Sequence, residues 1–245
     1  MELTPKLKLG SSPIWYLDLT VVLTLLITCL VIILFVKICT SKLELVPLKL
    51  QNMLEIFAEF ILGLVSSQFD EKSKYKFYSF AFTLFLFIFV ANQLGLFFNF
   101  IVVPKVTIPS LDIFANKHYS LWKSPTSDIN VPLALAFAIT FVSHFLGIKR
   151  SATKYFSHYF KPFWPMFILH FFDEVAKPIT HGLRLWANIF AGEVLILIML
   201  KAGPLFTGLP LVIWLFYSFF VGVIQAYVFT VLAMVYISQK YTLND

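Results

Sequence analysis

Charge is scarce in this chain. Asp, Glu, Lys and Arg make up 13% of its 245 residues, about half of the ~25% found in a soluble domain, and that shortage excludes an ordinary soluble globule. Cysteine is nearly absent. Cys29 and Cys39 are the two present, and they fall in one predicted helix. A separation of ten residues along a helix is about 15 Å, too far for a disulfide bond. Neither has metal-ligand spacing. No Cys/His metal pattern, phosphate-cradling glycine loop or nucleophile–base pair occurs, so no cofactor or metal is expected and bond-making chemistry is not assigned to this chain. There is no internal repeat and no Gly-Ser linker, which leaves one domain spanning 1–245. The first apolar run is followed by Lys37 and Lys42 rather than by a small-residue cleavage site, so it reads as a retained span.

What the chain has in quantity is apolar surface. Hydrophobic residues reach 59%, phenylalanine alone accounts for 29 positions, and the mean hydropathy is +0.84. Five segments are long and apolar enough to cross a bilayer, about 17–39, 77–103, 131–148, 165–200 and 210–238. The stretch 47–69 is amphipathic, with Met53, Phe57, Ile61 and Leu64 at helical spacing. It reads as an interfacial helix, with a helix packed under the bundle as the alternative. The fold class is therefore all-α, a polytopic membrane protein. The net charge of +6 does not point to nucleic acid, because the basic residues cluster between apolar runs. With the N-terminus outside, the inside segments hold eleven lysines and arginines against six outside, which places the C-terminus in the cytoplasm.

The fourth segment is unusual in two ways. Its 36 residues make a helix of roughly 54 Å against a hydrocarbon core of about 30 Å. Either it breaks, with Pro178 the natural point, or it lies strongly tilted, as does the long fifth segment. It also carries Arg184, a side chain that keeps its charge at any accessible pH. A guanidinium at mid-membrane depth costs about 2.5–3.5 kcal/mol on insertion scales, a penalty that implies a task on an ion or substrate path. At 100° per residue, Asp173, Lys177, Arg184 and Asn188 share one stripe, with His170 and His181 on its edges. Glu193 falls near the opposite face. In the fifth segment Ser218, Gly222 and Gln225 share a face. Plainer readings stand beside these. Asp173 and Lys177, four residues apart, neutralise each other as a surface pair does. The histidines serve as hydrogen-bonded core residues, and Ser218 as a small packing residue.

The run Lys177-Pro178, Leu183-Arg184-Leu185, Asn188 and Ala191-Gly192-Glu193 resembles the signature of the a subunit of bacterial F-type ATP synthases. Gln225-Ala226-Tyr227-Val228-Phe229-Thr230 is similar to that family's Gln-Ala-Phe-hydrophobic-Phe motif. Gln51-Asn52 with Glu55, and Ser124-Pro125-Thr126 with Asp128 and Asn130, resemble two further family segments. Trp186-Ala187 departs from the usual Phe-Gly, and His181 replaces an apolar or small residue. The resemblance implies a membrane stator in the bacterial cell membrane, not catalytic alone. It conducts protons, or sodium ions, through two half-channels to and from the carboxylates of a c-subunit ring. Other expected partners are the b-subunit peripheral stalk, the remaining synthase subunits and the lipid bilayer. It implies that Arg184 separates the half-channels, that Glu193 lines the external one, and that Asn188 and Gln225 lie beside the arginine. Asp173 is expected on the cytoplasmic side, with His181 and Ser218 as further candidates on the path.

The competing reading is a secondary transporter or cation channel with Arg184 as its functional charge. Such transporters show repeated halves with helices interrupted at matching positions, and no repeat is found here. A voltage sensor needs several spaced arginines, whereas the membrane segments contain one.

Overall fold

Asp18 opens the first helix. Its carboxylate accepts a hydrogen bond from the backbone N–H of Thr20 at 3.0 Å, satisfying one of the donors that a helix start leaves unpaired. Thr4 donates to the other oxygen at 2.5 Å. In the computed structural model of the chain, residues 4–8, 16–41, 44, 49–98, 101–102, 119–120, 122–159, 165–201, 203 and 207–242 are described. The strands β1 (Lys6–Lys8) and β2 (Tyr16–Asp18) pair antiparallel ahead of α1 (Leu19–Cys39). Then come α2 (Lys49–Ser66) and α3 (Lys74–Phe97). The strands β3 (Ile101–Val102) and β4 (Tyr119–Ser120) pair antiparallel, a 3-10 turn covers Pro125–Ser127, and α4 (Asn130–Tyr159), α5 (Met166–Lys201) and α6 (Leu209–Thr242) complete the chain.

Among the described residues, five of the six α-helices, all but α2, are long and apolar enough to cross a membrane. Their positions correspond to the five spans expected from hydropathy, with two differences in extent and one open alternative decided. The second span was expected to continue to 103, but α3 stops at Phe97 and Ile101–Val102 form a strand. Hydropathy does not distinguish helix from strand, and the β-branched run ahead of Pro104 favours extended backbone. In addition, α4 continues past 148 to Tyr159, because polar helix formers extend a helix beyond its apolar span. Finally, α5 does not break at Pro178, which lies buried inside a continuous helix. Proline there removes one backbone bond, the one to the Glu174 carbonyl, and the helix runs through. Residues 47–48 of the expected amphipathic helix, 99–100 and 103 of the expected second span, and the loop lysines Lys42, Lys105, Lys117 and Lys161 lie outside the described residues.

Packing centres on α6. Ala226, Phe229, Thr230, Ala233, Met234 and Ile237 are all buried, spaced at the three- and four-residue steps that line one helix face. Ala81 and Ile88 of α3, Ile139 of α4, Leu185 of α5 and Ile61 and Val65 of α2 join them in one core. Small residues let the backbones approach. A methyl group added at Gly182 would meet Leu133 Cα and the Pro132 carbonyl oxygen of α4 at 3.0 Å. The helix α1 inverts the soluble pattern: Thr20, Thr24 and Thr28 face inward and bond backbone carbonyls, while Leu23, Leu26, Leu30 and Ile33 face outward. The amphipathic α2 lays Phe57 and Phe60 against Phe85 of α3, at ring distances of 6.2 and 6.0 Å. Only 6% of the apolar stretch of α5 is buried, against 44% for α6. One long side of α5 is therefore uncovered.

Candidate functional site

The uncovered side of α5 carries the polar stripe. Asp173 and Arg184 are exposed, and Lys177 and Asn188 are half-buried. Among the described residues, Arg184 has no hydrogen-bond or ion-pair partner. Lys177 is occupied: its ammonium lies 2.7 Å from Asp173 and 3.8 Å from Glu174. The Asp173–Lys177 contact is the same-helix pair that the plainer reading anticipated. Arg184 thus stands as an exposed cation at mid-helix.

Behind the stripe, α5 and α6 run antiparallel. His181 is 2% exposed; its Nε2 lies 3.2 Å from the Phe229 carbonyl oxygen and its ring lies against Phe229 at 3.8 Å. Its Nδ1 is buried without a partner among the described residues. Further along, the Ser218 hydroxyl lies beside Gly192, 3.9 Å from where a Cβ there would sit. Both contacts are eleven residues apart on each helix, as an antiparallel pair in register requires. Arg184 therefore stands level with Ala226, next to Gln225. Gln225 is buried, and its amide nitrogen has no hydrogen-bond partner among the described residues. His181 is brought into the helix interface, not onto the exposed stripe.

Glu193 lies one and a half turns of backbone beyond Asn188 and lines two neighbouring cavities. The first, about 280 Å³, is bounded by Asn92, Asn188, Glu193, Trp214, Ser218 and Gly222, among others. The second, about 290 Å³, reaches from Glu193 and Gly95 past Trp122 and Lys123 to Lys201. Gly95 and Glu193 border both. The segment after β4 fixes this region. Thr126 donates to Asn92 Oδ1 at 2.9 Å, Asn92 donates to the Gly222 carbonyl at 3.3 Å, and the Trp186 indole donates to the Ser127 carbonyl at 3.1 Å. Gly95 is required here, since any Cβ would collide with Ser124. The Trp214 indole nitrogen and the Ser218 hydroxyl are buried without a partner among the described residues, so polar atoms line an otherwise apolar space. Such sites are where buried water is found.

Of the sequence-identified residues, Asn188, Glu193 and Ser218 share the first cavity. Arg184 and Gln225 share a level of the α5–α6 pair, and Asp173 sits apart near the start of α5. Among the lining residues that were not singled out, Asn92, Gly95 and Trp214 shape the cavity most. Asn92 signalled itself as an amide inside an apolar span; Gly95 and Trp214 gave no sign in a single sequence. Glu174 was also missed, and it is the centre of an ion-pair cluster. Lys240 of α6 donates to its Oε1, and His144 of α4 lies 3.3 Å from its Oε2. A third charge beside Asp173 and Lys177 in an apolar segment was the available signal.

A family model described as the ATP synthase A chain matches residues 21–238. The chain is 38% identical over 233 residues to proteins named ATP synthase subunit a from Staphylococcus aureus strains JH9 and Newman, covering 91% of this chain and 90% of each relative. The same values hold for the protein of that name from the bovine strain RF122. Membrane-length helices, the arginine on the open side of α5 and these matches agree: the chain belongs to the ATP synthase A chain family, the membrane subunit a of F-type ATP synthases.

Proposed function

We propose that this subunit is the proton-conducting stator of a rotary ATP synthase, the whole chain forming one membrane domain in a bacterial cell membrane. The observation that carries the reading is the placement of Arg184. It is a permanent cation, exposed at mid-helix on the uncovered side of α5 and without an ion-pair partner among the described residues, while Glu193 lines two cavities along the same helix. A lone guanidinium at membrane depth needs a counter-charge, and a ring of c subunits, each presenting a carboxylate, supplies one. The fixed cation favours the ionised carboxylate, so the proton leaves at that point. The same charge repels a proton moving directly between the two half-channels.

In this reading the cavities at Glu193 belong to the external half-channel, with Asn188, Ser218 and Gln225 leading toward the arginine. Asp173, about 16 Å before Arg184 along the helix, belongs to the cytoplasmic side, and His181 supports the interface behind the path. The N-terminus is outside and the C-terminus cytoplasmic. Helices of about 54 Å and 51 Å cannot stand upright in a core of about 30 Å, so α5 and α6 lie strongly tilted along the ring. The peripheral-stalk b subunits and the remaining synthase subunits complete the assembly. Each proton crossing then releases about 2.3 kcal/mol per 100 mV to drive rotation; sodium is the alternative coupling ion.

Glu193→Cys in membranes of known sidedness tests the half-channel. Silver ion or a small thiol reagent applied outside should reach position 193 and inhibit residual transport. Access from the cytoplasmic face alone would overturn the assignment, and a Glu193→Gln variant with undiminished proton flux would remove this residue from the path.

A further inference from the structure

The ion-pair cluster at the start of α5 lies outside the path just described. Glu174 and Lys240 have side chains only 15% and 9% exposed, a costly position for two charges unless each is satisfied. Both oxygens of Glu174 are engaged. Oε1 accepts from Lys240 on α6 and lies 3.8 Å from Lys177 on its own helix, while Oε2 lies 3.3 Å from His144 on α4. The other ring nitrogen of His144 is hydrogen-bonded to the Tyr155 hydroxyl. One carboxylate therefore joins three helices, and Lys177 connects it to Asp173 on the exposed stripe.

Eight residues further along α5, Gly182 seats the helix directly on the backbone of α4 at Pro132 and Leu133. The contacts of His181 with Phe229 and of the Trp186 indole with the Ser127 carbonyl hold the same middle part of α5. The Glu174 cluster adds an attachment to both α4 and α6 ten residues before Arg184, beyond the reach of those contacts. The tilt of the start of α5, and with it the line of the stripe from Asp173 to Arg184, depends on that attachment.

We propose that Glu174 is a positioning residue for ion translocation: its carboxylate clamps the start of α5 to α4 and α6 and so aims the Arg184 stripe at the ring. The proposal rests on the stator reading given above. Once the clamp is released, the arginine still exists but is misplaced, and a displacement of about 1 Å can cost about 100-fold in rate.

The test uses whole complexes in inverted membrane vesicles. ATP-driven proton pumping is measured per assembled complex, with assembly scored by recovery of the chain in the purified enzyme. Glu174→Gln alone takes the carboxylate away from the buried Lys240 ammonium and is expected to assemble poorly. The paired variant Glu174→Leu/Lys240→Met replaces both charges with apolar groups of similar size, a change that folded proteins tolerate. It is expected to assemble and to pump about tenfold or more slowly, whereas Lys240→Arg, which keeps the charge, is expected to pump within about twofold of the parent. Normal pumping by the paired variant overturns the proposal. So does a loss of pumping fully matched by loss of the chain from the complex, since that indicates a purely structural pair. An Arg184→Ala control separates the two readings. If it pumps normally, the stator reading itself fails; if it is blocked while the paired variant pumps normally, only the clamp fails.

Discussion

Single residues here do work that their chemistry dictates, and most of that work was visible in their type and position. Arg184 declared itself because no other side chain carries so fixed a charge at so high a cost in hydrocarbon. Gly182 did not, because nothing in a sequence says which glycine touches a backbone. In the structure, a Cβ at 182 would lie 3.0 Å from the Pro132 carbonyl oxygen and Leu133 Cα. Backbone atoms cannot rotate away as a side-chain tip does. Gly182→Ala is therefore expected to force α4 and α5 apart at a cost of about 1–3 kcal/mol. The measurement is recovery of intact complex after graded detergent or heat exposure, and an unchanged profile would mean that the contact gives way. His181 follows its plainer reading as a hydrogen-bonded core histidine. Helical arithmetic placed it at the edge of the polar stripe, yet it is 2% exposed and bonded to the Phe229 carbonyl, because the neighbouring helix covers that edge.

At the scale of elements, apolar length located the five membrane-length helices and apolar spacing located α2, but their ends and partners depended on tertiary contacts. Hydropathy extended α3 into what is a two-residue strand, since the same apolar run suits either backbone. It left open whether Pro178 breaks α5, and the helix continues because the loss is a single hydrogen bond. The helices α5 and α6 pair antiparallel, and their register follows from the contacts at His181–Phe229 and Gly192–Ser218. That register makes a direct prediction. With Cys29 and Cys39 replaced by serine, a Gly192→Cys/Ser218→Cys pair should form a disulfide under mild oxidation, because a Cβ at 192 would lie 3.9 Å from the Ser218 hydroxyl, close enough for two sulfurs to meet. Gel mobility after oxidation would report it. Efficient cross-linking instead between position 192 and a residue one helical turn from 218 would show that the two helices are offset by that turn.

For the molecule as a whole, the uncovered side of α5 explains why the site was only partly legible. The chain folds around α6 and leaves α5 with 6% of its apolar stretch buried, and in the proposed function the surface that carries Arg184 is completed by another chain. A single sequence shows the arginine and its cost, but not the cavities that Asn92, Gly95 and Trp214 help to form. Those depend on helices distant in sequence being brought together. In the proposed function the exposed cation at 184 governs ion movement between two separated paths, and it does so through charge, not folding. The decisive measurement is proton-driven ATP synthesis by an Arg184→Ala variant, normalised to assembled complex. Complete loss of synthesis is expected with the complex still assembled in the membrane, and the same loss for Arg184→Lys, whose ammonium lacks the planar fork and sheds its proton when desolvated. Synthesis at the parent rate in the alanine variant would contradict the proposed function.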